Sequence, residues 1–62
     1  MIEDIRVDHT YRTRSGEACK VIGIVGDLVI FISEALTPRI AEEMPRSLFV
    51  VCVVEDLGAA AS

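Results

Sequence analysis

Apolar and polar positions alternate along VDHTYRTR, with Val7, His9 and Tyr11 on one side and Asp8, Thr10 and Arg12 on the other. A period of two predicts a half-buried strand. Two further strands follow, EACKVIGIV after Ser15-Gly16 and LVIFIS after Gly26-Asp27, so the first half of the chain predicts a three-stranded meander. A three-residue loop, Arg14-Ser15-Gly16, pairs Tyr11 with Cys19, Thr10 with Lys20 and His9 with Val21; the shorter Ser15-Gly16 loop would mix charge into both faces. Gly26-Asp27 suits a two-residue turn, which pairs Val25 with Leu28, Ile24 with Val29, Gly23 with Ile30 and Ile22 with Phe31. The core face that results is Val7, His9, Tyr11, Cys19, Val21, Val25, Leu28, Ile30 and Ile32, and a second apolar group, Ile22, Ile24, Val29 and Phe31, lies opposite.

Beyond the meander, LTPRIAEEMPRS predicts a short helix: Thr37 caps it, Pro38 opens it, Ile40 and Met44 share a side, Arg39 pairs with Glu42 or Glu43, and Pro45 ends it. LFVVCVVED then predicts the last strand, because its seven apolar residues from Leu48 to Val54 are mostly β-branched. The expected architecture is all-β, a small barrel of four to five antiparallel strands with one short helix before the last strand. Residues 1–56 form its single domain and residues 57–62 a disordered tail, since GAAAS has nothing to bury.

Sixty-two residues allow one small core, yet 52% of them are hydrophobic. A domain this short hides only about 60% of the surface its unfolded chain exposes, so the excess of apolar side chains predicts association. A homodimer is the expected form, as the commonest closed assembly. Ile22, Ile24, Val29 and Phe31, joined by one face of Phe49, Val51 and Val53, are the candidate self-association or partner face. Ten acidic against six basic residues give a net charge of −4, which argues against general nucleic-acid binding. The N-terminal MIEDIR lacks the order of a secretory signal, and no apolar run is long enough to span a membrane. The expectation is a cytoplasmic protein with no membrane contact.

Chemistry-bearing residues are sparse. Cys19 and Cys52 are expected as reduced thiols in such a compartment, and with His9 they fall short of the four ligands a structural zinc requires. His9 alternates in phase with Val7 and Tyr11 and is expected as a strand residue. Asp8 and Glu17 are too far apart in the proposed pairing to act together, and Gly23 and Gly26 precede a strand, whereas a phosphate cradle needs a helix N-terminus. No catalytic, cofactor-binding or metal-binding residue is therefore assigned, and no enzyme is expected. Arg12, Arg14 and Lys20 form a basic corner, the basis of an alternative reading as a nucleic-acid-binding barrel with Phe31 as a stacking surface.

The order of elements resembles the small SH3-like β-barrels. HTYRTRSGEACKVIGIVGDLVIF, followed by TPRIAEEMPRSLFVVCV, is similar over residues 7 to 54 to short barrel proteins of bacteriophages and prophages. That resemblance implies an SH3-like barrel and a small accessory or regulatory protein acting by binding, often to a host protein. The absence of Trp and the single Tyr depart from SH3 domains that stack proline-rich peptides on aromatic side chains.

Overall fold

The computed structural model describes residues 4–35 and 38–59. Within them lie β1 (His9–Thr13), β2 (Ala18–Val25), β3 (Leu28–Ser33), β4 (Ala41–Pro45), α1 (Arg46–Cys52) and β5 (Val53–Ala59). All strand pairs are antiparallel, in the order β4-β3-β2-β1-β5. The fold is thus all-β, five strands in one sheet with one short helix before the last strand, as expected. Helix α1 packs on β3, β4 and β5 and spans the gap between the two edge strands.

The first hairpin has the expected register, Tyr11 opposite Cys19 and Thr10 opposite Lys20. Gly16 takes the left-handed position that closes such a loop, at φ +93°, and the Thr13 N–H donates to the Glu17 carbonyl at 2.8 Å. The expected His9–Val21 pair does not form. Asp8 instead turns to φ +72° and donates its N–H to the Val21 carbonyl at 2.8 Å.

The second hairpin starts as expected, with Gly26 at φ +58° and the pairs Val25–Leu28, Ile24–Val29 and Gly23–Ile30. Its register then shifts, and Phe31 pairs with Val21 where Ile22 was expected. Ile22 is the extra residue of a β-bulge, beside a glycine that eases it. Because the side-chain period is two, one inserted residue exchanges the faces of β3 relative to the first half of β2. Val29 and Phe31 are buried with Tyr11, Cys19 and Val21, while Val25 and Leu28 are exposed and Ile30 and Ile32 half-buried. Val7 is exposed as well. The expected core face is corrected accordingly on β3 and at the end of β2.

The segment 41–45 is a strand, where a helix was expected. Six residues between two prolines are too few to hold a helix alone, whereas the free edge of β3 offers backbone partners, which Ala41–Pro45 takes in register from Ile32–Ala41 to Leu28–Pro45. Pro45, lacking an N–H, ends this edge strand. Ile40 is exposed, Arg39 pairs with Glu34 at 3.0 Å in place of Glu42 or Glu43, and Thr37 lies outside the described residues.

Helix α1 occupies the first part of the expected last strand. Its seven residues have no side-chain N-cap. Tertiary contacts hold it: the Arg46 N–H donates to the Asp27 carbonyl at 2.6 Å, and Phe49 is buried to 1% exposure. Phe49 meets Tyr11 edge-on at 5.9 Å between centroids and Phe31 at 5.3 Å. The Tyr11 hydroxyl accepts from the Arg6 N–H at 2.8 Å, which ties down the segment that carries buried Ile5. Strand β5 runs on to Ala59, so Leu57, Gly58 and Ala59, expected in the tail, belong to the sheet, and residues 60–62 lie outside the described residues.

Phe49→Ala should cost about 3–5 kcal/mol, comparable with the roughly 3–9 kcal/mol expected for a domain of this length. Urea titration followed by tyrosine fluorescence should show a largely unfolded protein or a midpoint near zero denaturant. A near-native midpoint would mean that the aromatic cluster is not the centre of the core.

Candidate functional site

Paired residues of an antiparallel sheet point to the same side, so the register maps the outer face. Val29, Phe31 and Ser33 point inward from β3. Leu28, Ile30 and Ile32, between them, point outward. Across β2 their partners are Val25, Gly23 and Lys20; across β4 they are Pro45, Glu43 and Ala41. Bulged Ile22 is exposed beside Gly23. A Cβ at Gly23 would meet the Ile30 side chain at 3.8 Å, so Ile30 leans over the glycine and fills the middle of the face. The result is a contiguous outer patch of Ile22, Val25, Leu28, Ile30 and Ile32, flanked by Lys20 on β2 and Glu43 on β4.

This is not the group of residues expected from the sequence. Of the candidate association face, Val29, Phe31, Phe49 and Val53 are buried in the core and Ile24 is packed against it. Ile22 and Val51 are exposed. Ile22 belongs to the outer patch, and Val51 lies apart on α1. The bulge accounts for Val29 and Phe31, and the helical turn of α1 accounts for separating Val51 from Phe49 and Val53. A glycine inside an otherwise continuous strand was the one signal of the bulge in the sequence.

The basic corner is likewise dispersed. Arg12 pairs with Glu55 at 3.1 Å across β1 and β5. Arg14 turns to the C-terminal end of α1, donating its backbone N–H to Cys52 O at 3.1 Å and its Nε to Val51 O at 2.8 Å. That is a favourable place for a cation beside unsatisfied carbonyls. Lys20 remains without a hydrogen bond or ion pair among the described residues. Phe31, the expected stacking surface, is buried in the core.

A pocket of about 380 Å³ is lined by Cys19, Phe31, Ser33, Met44 and Cys52 together with the charged Arg14, Glu17 and Glu42. Both cysteines are free thiols, Cys19 buried and Cys52 partly so. Burial, followed by the charges of Glu17, Cys52, Glu42 and Glu34, pushes the Cys19 thiol up from its ordinary value, so it is a poor nucleophile at neutral pH. His9 is elsewhere, at the β1–β5 pairing, with its Nδ1 3.0 Å from Asp56 Oδ1. The bond to His9 and then the Gly58 N–H, at 2.8 Å, hold the Asp56 carboxyl below its usual range. Among the described residues no group of three or more His, Cys, Asp or Glu is placed to hold a metal ion, and no helix is long and apolar enough to cross a membrane. The described interior leaves no buried side-chain polar atom without a partner.

Comparison with family models, curated proteins and solved structures gives no match to this chain.

Two consequences are measurable. Alkylation with iodoacetamide at neutral pH, read by mass spectrometry, should label Cys52 before Cys19; faster labelling of Cys19 would contradict the raised thiol and its burial. A carboxyl held low stabilises the fold above the unfolded-state value of 3.8 and loses that contribution as pH falls through the lower folded-state value. Asp56→Asn should therefore be less sensitive than wild type to acid as pH falls below 3.8, by a small margin because the pair is largely solvated. Parallel acid titrations would refute the linkage.

Proposed function

We propose that this chain is a non-catalytic interaction module of the cytoplasm, with an accessory or regulatory role exercised by binding protein through the outer face of β2 and β3. One observation carries the reading: on the side of β2 and β3 opposite buried Val29 and Phe31, exposed Ile22, Val25 and Leu28 share the face with half-buried Ile30 and Ile32. Clustering is the informative feature, because single exposed aliphatics are ordinary on any protein surface. The resemblance to phage and prophage barrels supports the accessory role. The burial of Phe31 and the engagement of Arg12 and Arg14 within the fold favour protein over nucleic acid as the partner.

A photoreactive amino acid placed at Val25 or Ile32 should give discrete crosslinked adducts in the cell that makes the protein. The same group at Glu55, on the polar part of the sheet, should give none. Adducts equally abundant from Glu55, or none from either patch position, would overturn the reading.

A further inference from the structure

We infer that the occupant of the outer face is a second copy of this chain, related by a two-fold axis that sets Lys20 of each copy against Glu43 of the other. The inference rests on the reading of this face as a docking surface and adds the identity of the partner. Lys20 pairs with Ile32 from one side of β3, and Glu43 pairs with Ile30 from the other. Both therefore share the outer face with those isoleucines. They are opposite in charge, lie on opposite flanks of the apolar patch, and make no hydrogen bond or ion pair among the described residues.

A two-fold axis in the contact plane that bisects the line from Lys20 to Glu43 crosses β3 between Ile30 and Ile32. Rotation about it exchanges the two charges, so each Lys20 meets the second copy's Glu43. The two β3 strands cross at the centre with their isoleucines in contact. An isologous interface requires such self-complementarity, since each patch must match itself. Two ion pairs flanking an apolar centre fix the orientation of the copies.

The edges of the sheet disfavour the competing mode, strand addition. β4 is short, carries Glu42 and Glu43, and ends in Pro45. β5 shifts register twice against β1, leaving Val54 and Leu57 as unpaired extra residues. Short, charged and bulged edges resist pairing with another strand, and the face remains.

Sedimentation equilibrium on the purified chain tests this. Wild type should approach twice the 6.8 kDa mass of the monomer as concentration rises. Lys20→Glu and Glu43→Lys should each weaken association by about tenfold or more through like-charge contacts. A mixture of these two single variants should associate as a heterodimer, because both cross-pairs are then restored, and the double variant should dimerise like wild type. Ile30→Asp should be monomeric with an unchanged amide spectrum. A wild type that stays monomeric at millimolar concentration while Val25 crosslinks to another protein would sink the self-pairing and leave the docking surface standing. A dimer indifferent to all of these changes would place the interface elsewhere and overturn the inference.

Discussion

Phe31 faces inward because β2 carries one residue more than β3 between the Gly26 turn and Val21, and most of the molecule follows from that count. With Phe31 inside, Phe49 has two aromatic neighbours, Tyr11 and Phe31, and the sheet and α1 pack around three rings. Edge-on and tilted contacts of this kind add to the area the rings bury. The same residue count puts Ile30 and Ile32 outside and Ser33 inside, where its hydroxyl lies 3.5 Å from Glu17 and accepts from the Ala35 N–H at 3.4 Å. The bulge thus sets the core, the outer face and the polar margin of the pocket together.

Helix α1 shows the same dependence of a local element on distant contacts. Seven residues, Arg46–Cys52, with the β-branched pair Val50-Val51 and without a capping side chain, would not hold a helix alone. Both ends are completed by hairpin turns: the Asp27 carbonyl receives the first N–H, and Arg14 serves the last carbonyls. Phe49 anchors the middle. The turns that organise the meander therefore also build the element that spans the open side of the sheet, and Arg14, which in sequence belongs to a basic cluster, is a structural cation.

These dependencies explain what was legible beforehand. Both turns are local: Gly16 and Gly26 specify left-handed backbone at fixed places, and the pairs nearest to them were read correctly. The face of β3 was not legible, because LVIFIS is apolar at five successive positions and its pattern is silent about which side is buried. Only the register could decide, and Ile22 reversed it after three correct pairs. Segment 41–45 and α1 were misassigned for a related reason. Caps and β-branching are weak preferences, overridden by an unpaired strand edge in one case and by a buried ring in the other.

The outer face is not uniformly greasy, and the contrast within it carries the functional reading. On the β1–β5 side the paired outward positions are Thr10, Arg12, Glu55 and Gly58, with Arg12 and Glu55 joined across the strands, and the bulged Val54 and Leu57 are exposed on the edge strand beside them. On the β2–β3 side it shows aliphatic side chains at every outward position except Lys20 and Gly23. Folding alone does not require this, because Tyr11, Val21, Val29, Phe31 and Phe49 already fill the interior, and threonine would serve β-structure as well at outward positions. The outer face therefore differs along the sheet: its paired outward positions are mostly polar on β1 and β5 and mostly aliphatic on β2 and β3.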